Sequence, residues 1–244
     1  MASDTLKGLK VAILVTDGFE KVELTQPRKA LDEAGAVTRI VSPKSSKVRS
    51  WNFTNWDEEM PVDVNLDEAK PDDFDALHLP GGVINPDALR IQPKAVAFAK
   101  AFFDTRKPVA SICHGPWTVI ETGAARGRRM TSWPSLKTDL RNAGADWVDE
   151  EVVVDRGLIT SRRPDDIPAY NREMIKTLQQ HASKGATRSG VTRASYWQGG
   201  ALSAPPCHPR AGGCVRSRGA APLRSAESQP PTRAPAVPYR GPRA

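Results

Sequence analysis

The stretch Pro108–Gly123, PVASICHGPWTVIETG, is the most informative part of this 244-residue chain for its fold. Its first five residues, Pro108–Ile112, form an apolar run that predicts a buried strand, and the residues from Gly115 to about Thr122 predict a helix. Cys113 lies between the two. A strand, a sharp turn and a helix in direct succession hold a nucleophilic side chain out at the edge of a sheet. We therefore interpret Cys113 as a candidate nucleophile on such an elbow.

Elements of the same kind flank this stretch on both sides. Short apolar or β-branched runs alternate with helical patterns up to about Leu178, which is typical of repeated βαβ units and a mostly parallel sheet. The other predicted strands are Leu9–Thr16, Val37–Ser42, Asp75–Leu79 and a hairpin of Glu151–Asp155 with Leu158–Ser161. The other predicted helices are Glu23–Ala34, Pro93–Phe103, Lys137–Ala143 and Ile167–Leu178. The sequence thus predicts an α/β fold.

The composition changes after Ser183. Residues 184–244 contain nine prolines, and ten Lys or Arg against one acidic residue. Such a segment cannot bury enough apolar surface to offset the entropy of ordering. We predict an α/β domain over residues 1–183 and a disordered basic tail over 184–244. The net charge of +7 comes from this tail, since the first part carries 25 basic and 27 acidic residues.

Two interpretations of the tail stay open. It is either an extension without function or a basic arm that binds polyanions without specificity, so we expect no specific nucleic-acid partner. Cys207, His208 and Cys214 form one short cluster without a second ligand pair, which is too little to predict a metal site.

The sequence features that are missing indicate the class of protein. No apolar run approaches the roughly 18 residues that a membrane span requires, and the polar start MASDTLKGLK has no secretory pattern. Only three cysteines occur, and Cys113 is far from the other two, which argues against a disulfide framework. We expect a cytoplasmic protein that does not enter the membrane.

The residues around Cys113 suit thiol chemistry. The positive end of the following helix stabilises a thiolate, and its free N–H groups can bind an oxyanion. A Cys–His pair suits a nucleophile that must lose its proton, so His114 is the candidate base, although neighbours on a turn can point apart. The alternative is that Cys113 is a small buried apolar side chain. His78, in the middle of a predicted strand, is interpreted as a packed core residue.

Acids and glycines follow two other strands. Glu20 and Glu23, spaced i and i+3, are expected on one side of a first helical turn. They either favour the helix dipole, or one stays protonated beside Cys113 and donates to the thiolate. Gly81 and Gly82 allow backbone N–H groups to approach a substrate oxygen closely. In an open parallel sheet these loops and Cys113 meet at the carboxyl edge of the strands.

Aromatic residues and cofactor motifs complete the prediction. The tryptophans either wall the pocket or belong to the core or to an oligomer interface; those concerned are Trp51, Trp56, Trp117 and Trp133. Trp117, four residues after Cys113, is the candidate for substrate binding. Gly81-Gly82 lacks the third glycine and the Lys-Ser/Thr pair of a phosphate loop, so we predict neither a nucleotide nor a metal cofactor.

Five blocks of the chain resemble the ThiJ/PfpI superfamily, in particular its intracellular-protease and stress-protein branch. They span roughly Lys10 to Leu178 and read TDGFEKVELTQP, LHLPGG, KPVASICHGPW, ARGRRMTSWPSLKTDLRNAGADWVDEEVVVD and SRRPDDIPAYNREMI. The resemblance implies a flavodoxin-like three-layer sandwich and a homodimer or higher homo-oligomer. It also implies a peptidase, glyoxalase III or protein deglycase activity.

The resemblance places roles on individual residues. The nucleophile of the family falls on Cys113, its adjacent histidine on His114, and the glutamate that hydrogen-bonds the cysteine on Glu23, with Glu20 as a second acid nearby. In the protease branch a glutamate of a neighbouring subunit completes a triad. The matching residue here is Asp87, a shorter acid in a loop with an extra residue, which disfavours a protease-type triad.

We therefore expect a cysteine-dependent hydrolase of reactive carbonyls in stress protection, acting on a small carbonyl substrate or a glycated protein. One alternative is an intracellular cysteine peptidase that works through an acyl-thioester. The other is a redox-sensing or chaperone-like stress protein, in which Cys113 is oxidised to a sulfinate and no substrate is turned over.

Overall fold

A computed structural model describes residues 4–191, in which twelve strands and six α-helices are found. The strands are β1 (Lys10–Leu14), β2 (Phe19–Glu20), β3 (Val37–Ser42), β4 (Lys47–Asn52), β5 (Asn55–Pro61), β6 (Val64–Asn65), β7 (Ala76–Leu79), β8 (Val109–Ile112), β9 (Arg129–Met130), β10 (Asp146–Trp147), β11 (Val152–Asp155) and β12 (Leu158–Ser161). The helices are α1 (Lys21–Glu33), α2 (Ile84–Arg90), α3 (Pro93–Asp104), α4 (Pro116–Glu121), α5 (Lys137–Asn142) and α6 (Ile167–Val191).

Seven strands form one central sheet in the order β11-β12-β8-β7-β1-β3-β6. All neighbouring pairs are parallel except the hairpin β11–β12 at one edge. The predicted α/β fold with a mostly parallel sheet is confirmed. Strands β7 and β8 are buried along their whole length, because helices cover both faces of a parallel sheet, and this explains their mostly apolar sequences, in which His78 and Ser111 are the polar exceptions.

Helices pack on both faces of the central sheet. On one face Phe98 of α3 belongs to the same apolar cluster as Leu77 of β7. On the other face Tyr170 of α6 belongs to a cluster with Ala76 of β7. Successive side chains of one strand thus point to opposite layers. The result is the three-layer sandwich that the family resemblance implies.

The hairpin β4–β5 and helix α2 are absent from the sequence-based prediction. The hairpin pairs β4 with β5 antiparallel and joins β2 in a separate three-stranded sheet. Most side chains of β5 are exposed, so the strand lacks the buried alternating pattern that identifies a strand in sequence. Helix α2 has seven residues and contains Pro86, which weakens its helical signal.

Two predicted boundaries differ from the observed ones. Helix α1 begins at Lys21, two residues before the predicted start, so Glu20 precedes the helix instead of lying in its first turn. Helix α6 continues to Val191, eight residues past the predicted domain end. The disorder predicted for the tail concerns mostly residues 192–244, which lie outside the described residues, as do Cys207, His208 and Cys214. Among residues 4–191, no helix combines the length and apolar character needed to cross a membrane.

Candidate active site

Cys113 lies on a strained turn directly after β8. Its φ of 60° is left-handed, a conformation that is unfavourable by about 1–2 kcal/mol for a residue with a side chain. Two backbone hydrogen bonds hold it there: Cys113 N–H donates to Ser161 O (3.0 Å), and Trp133 N–H donates to Cys113 O (3.0 Å). The structure therefore has the sharp elbow that the sequence predicts.

Three loops meet at the carboxyl edge of the central sheet, after β1, β7 and β8. A Cβ atom at Gly81 would lie 2.5 Å from Glu23 Oε2 and 2.7 Å from Cys113 Cβ, so only glycine fits between these two residues. Gly82 has a φ of 74°, and a Cβ atom there would overlap the Gly18 carbonyl. Close approach to Glu23 and Cys113 thus explains Gly81, and a positive φ together with the adjacent backbone of Gly18 explains Gly82.

Glu23 is completely buried next to the thiol. The Gly81 N–H donates to its Oε2 (2.9 Å), and among the described residues Oε1 has no nitrogen or oxygen partner. The carboxyl also interacts with the Cys113 thiol. Burial raises the pKa of Glu23 to about 8, and the Cys113 hydrogen bond only partly opposes that rise. At pH 7 the carboxyl is therefore protonated and can donate a hydrogen bond to the sulfur.

Burial also raises the pKa of the Cys113 thiol, and a Glu23 carboxylate would add to this rise both by like-charge repulsion and by accepting a hydrogen bond from the thiol. At pH 7 that repulsion is absent because Glu23 is protonated. The backbone N–H groups of His114 and Gly82 act in the opposite direction and lower the thiol pKa. The sequence predicts that the positive end of helix α4 lowers the thiol pKa. Burial outweighs this effect, since α4 has only six residues. Formation of the thiolate therefore depends on the hydrogen-bond donors around the sulfur.

His114 contacts the nucleophile although the two residues are adjacent in sequence. Its Nδ1 is 3.2 Å from Cys113 Sγ, and its Nε2 is 3.4 Å from Ser135 Oγ. The ring stacks on Trp133, with centroids 5.9 Å apart and planes at 25°. Burial lowers the pKa of His114 to about 4, so the imidazole is neutral at pH 7. A neutral ring can accept the thiol proton or donate to the thiolate, depending on its tautomer.

A cavity of about 360 Å³ opens above Cys113 and His114. This volume lies in the usual range of small-molecule sites. Its lining includes the two acids Glu20 and Glu23 and the two glycines Gly18 and Gly82. Apolar side chains form the rest of the wall: Trp51, Phe53, Val83, Ile84, Trp133 and Pro164. The site combines a polar reacting end with an apolar opening.

Glu20 fixes the hairpin that forms one wall of the cavity. The Phe53 N–H at the hairpin tip donates to Glu20 Oε2 (3.3 Å), and the Trp51 indole N–H donates to Phe53 O (3.0 Å). Lys21 binds Asp57 of the same hairpin at 3.1 Å. Burial raises the pKa of Glu20, against the effect of its backbone hydrogen bonds. The second acid thus acts on the shape of the cavity.

Trp117 and Asp87 lie away from the cavity of their own chain. Trp117 packs against His114 with centroids 5.1 Å apart, and its indole N–H donates to Asp139 (2.8 Å). The tryptophans that line the cavity are Trp51 and Trp133, and Trp117 is not among its lining residues. Asp87 is exposed on α2.

Two residues of the site have no signal in the sequence. Ser135 reaches His114 only through the fold, from a position 21 residues away. Asn85 is fully buried, and its Oδ1 accepts the Thr16 N–H (2.8 Å) while its Nδ2 donates to Pro80 O (3.0 Å). Asn85 therefore joins the loop after β1 to the loop after β7. Within residues 4–191, no cluster of three or more His, Cys, Asp or Glu side chains is arranged to hold a metal ion.

The sequence is similar to a family of known proteins over most of the described residues. A model of the DJ-1/PfpI family matches residues 9–177. General stress protein 18 of Bacillus subtilis is 46% identical over 175 residues, which cover 71% of this chain and 99% of that protein. Deglycase TK1284 of Thermococcus kodakarensis is 43% identical over 171 residues, 70% of this chain and 100% of that protein. Putative cysteine protease YraA of Bacillus subtilis is 42% identical over 170 residues, 70% of this chain and 98% of that protein.

Solved structures have the same fold. The structure of Schizosaccharomyces pombe DJ-1 superimposes with a TM-score of 0.62 at 26% sequence identity. The match covers 77% of this chain and 99% of that one. The likeness therefore extends over a whole domain.

Proposed function

Because this chain belongs to the DJ-1/PfpI family, we propose that it is a cysteine-dependent hydrolase of reactive carbonyls. One observation carries the proposal: the Cys113 thiol lies between a protonated Glu23 and a neutral His114 at the base of a small cavity. This arrangement can activate a thiol, bind an oxyanion and move a proton without a cofactor. Relatives named as deglycases support the same class of reaction.

The proposed reaction converts a 2-oxoaldehyde such as methylglyoxal to a 2-hydroxy acid. The Cys113 thiolate attacks the aldehyde carbon, and a C–S bond forms while the carbonyl oxygen becomes an oxyanion beside the Gly82 and His114 N–H groups. The proton on that carbon then moves to the adjacent carbonyl carbon, with Glu23 or His114 as the acid and base, which gives a thioester. Water cleaves the thioester and returns the thiol. One water is added, and no oxidant or reductant is needed.

The early adduct of a 2-oxoaldehyde on an amine contains the same electrophilic carbon. Attack of the thiolate on the carbon that bears the amine would release the amine as leaving group, and the later steps would be identical. The substrate class is thus a free reactive carbonyl or its early adduct on a protein amino group. The apolar opening beside Cys113 would receive the remainder of either substrate.

A peptidase is supported less well by the site. A Cys-His peptidase needs a group that orients the second ring nitrogen of the histidine. Here His114 Nε2 is closest to the Ser135 hydroxyl, and Asp87 lies outside the cavity of its own chain. The peptidase proposal therefore requires an acid from another subunit.

We also propose a homo-oligomer. Val83 and Ile91, at the two ends of α2, are 55% and 79% exposed, and Ile84 is 43% exposed. Exposed apolar side chains on one element favour a protein contact. Asp87, on the same helix, would then face another subunit.

Formation of lactate tests the proposed reaction. The purified chain is incubated with methylglyoxal, and lactate and the dicarbonyl are followed together. We expect lactate to appear in step with dicarbonyl loss. Loss of methylglyoxal alone would not suffice, because the 35 Lys and Arg side chains of the chain also react with dicarbonyls. Heat-denatured protein therefore serves as control, and dicarbonyl loss without lactate would contradict the proposal.

Ser135→Ala is expected to lower kcat about threefold to tenfold, the usual effect of one hydrogen bond of moderate strength. The Ser135 hydroxyl is the hydrogen-bond partner of His114 Nε2 (3.4 Å) and helps to hold the ring beside the sulfur. Steady-state kinetics with methylglyoxal measure the change. Ser45→Ala, an exposed serine away from the cavity, is the matched control and should leave kcat unchanged. An unaltered Ser135→Ala enzyme would remove Ser135 from the mechanism.

An aryl-substituted oxoaldehyde is expected to be a better substrate than methylglyoxal. Phenylglyoxal would place its ring against Trp51, Phe53 and Trp133, and burial of that apolar area predicts a KM lower by roughly tenfold. Phe53→Ala should remove most of this preference. Val154→Ala, which truncates an exposed apolar residue of β11 outside the cavity, should retain it. Equal KM values for the two substrates would show that the apolar wall does not contact them.

A further inference from the structure

Helix α1 contains a proline at a position that affects Glu23. Pro27 lies inside α1 and has no N–H, so the carbonyl of Glu23, four residues earlier, loses its partner in the helix. Glu23 is fully buried, and water does not replace the missing donor easily. The first turn of α1, which carries the Glu23 carboxyl, therefore needs a donor from elsewhere.

His78 supplies that donor. Its Nε2 is 2.9 Å from Glu23 O, although His78 belongs to β7 and lies 55 positions away in sequence. A carbonyl oxygen only accepts, so His78 Nε2 carries the hydrogen. His78 Nδ1 is then the acceptor, and the Tyr170 hydroxyl, 3.0 Å away, donates to it. His78 and Tyr170 are both fully buried, so the tautomer is fixed by these two partners.

We propose that His78 is a positioning residue for Glu23: its Nε2–H replaces the N–H that Pro27 lacks and holds the Glu23 carboxyl between Gly81 and the Cys113 thiol. The proposal rests on the proposed role of Cys113 as nucleophile. It assigns a function to a histidine that the sequence pattern predicts only to be a packed core residue.

His78 acts through Glu23 and does not touch the reacting atoms. It does not line the cavity, and its ring nitrogens bond Glu23 O and the Tyr170 hydroxyl, with the Ala110 carbonyl as a further polar neighbour. Burial lowers the pKa of His78 to about 4. The carbonyls of Glu23 and Ala110 raise this pKa, but their effect is smaller than that of burial. The ring is therefore neutral at pH 7, and its single N–H donates to the Glu23 carbonyl.

Replacement of His78 by leucine tests the proposal through the thiol itself. The rate of Cys113 alkylation by iodoacetamide is measured against pH, which gives the thiol pKa without any substrate. In His78→Leu we expect the midpoint to rise by about one pH unit, equivalent to roughly tenfold less thiolate at neutral pH, because Glu23 no longer donates well to the sulfur. The unfolding temperature, measured in parallel, reports the loss of stability separately.

A second substitution makes the test specific. Pro27→Ala restores a backbone N–H that can bond the Glu23 carbonyl, so the double variant Pro27→Ala/His78→Leu should recover the wild-type midpoint. Pro27→Ala alone is the control and should leave the midpoint unchanged. A shifted midpoint that the double variant fails to recover would overturn the proposal, as would an unshifted midpoint in His78→Leu.

The wild-type chain offers a test that needs no variant. ¹⁵N NMR of the histidine rings distinguishes the two neutral tautomers, and we expect His78 to be protonated at Nε2. Protonation at Nδ1 would overturn the proposal even if His78→Leu does not fold. Neither measurement depends on turnover, so failure here is distinct from failure to form lactate.

Discussion

Cys113→Ser is expected to abolish lactate formation from methylglyoxal, with a loss in kcat/KM of at least about 1000-fold. The serine hydroxyl has nearly the same shape but does not ionise at neutral pH, so the protonated Glu23 and the N–H groups of Gly82 and His114 would have no thiolate to stabilise. The measurement compares initial rates of lactate formation for the two proteins at equal concentration.

The other cysteines provide the control for this substitution. Cys207 and Cys214 lie outside the described residues, and the double variant Cys207→Ser/Cys214→Ser should form lactate at the wild-type rate. Undiminished turnover by Cys113→Ser would exclude covalent catalysis by this residue. Loss of turnover in the control variant instead would place the reactive thiol elsewhere in the chain.

Glu23→Gln is expected to make the protein more stable than wild type at neutral pH. The folded state holds a proton on Glu23 up to a pKa of about 8, whereas the unfolded chain releases it near 4.5. Between these values the native state binds more protons, so wild-type stability falls as pH rises. The loss from this group amounts to about 3 kcal/mol between pH 5 and 7.5. Glutamine imitates the protonated acid and does not titrate.

The comparison is made by urea unfolding of both proteins at pH 5 and pH 7.5. His78 and His114, whose pKa values fall to about 4, make stability increase with pH above that value, but they do so in both proteins and largely cancel in the difference. Glu33→Gln, at the exposed end of α1, is the matched control for the amide substitution itself. A constant difference between wild type and Glu23→Gln would show that Glu23 is ionised throughout.

The parts of the fold that sequence predicts well are those buried on both sides. Strand β8 and the glycine loop after β7 are recognisable because burial imposes apolar runs and close packing imposes glycine. Hairpin β4–β5 belongs to a separate small sheet and carries mostly exposed residues, so no pattern reveals it. Yet its tip, through Phe53, forms a wall of the candidate site.

The residues of the candidate site also fall into two groups, those that the sequence predicts and those that it does not. Cys113, His114 and Glu23 are adjacent to recognisable strands and turns, which makes them predictable as a group. Ser135 is exposed and polar, like many surface serines, and only the folded chain brings it to His114. The helical pattern of the sequence does not reveal the effect of Pro27. Helix α1 continues through Pro27, and His78 of strand β7 bonds the carbonyl that Pro27 leaves without a partner in the helix.

The stacking of His114 on Trp133 gives the cavity an optical signal. Among the described residues, Trp51 and Trp133 are the tryptophans that line the cavity, and the emission of an indole changes with the polarity and the quenching groups beside it. A neutral imidazole 5.9 Å away quenches less than an imidazolium. Intrinsic fluorescence should therefore report both the occupancy of the cavity and the protonation of His114 in real time, without a label.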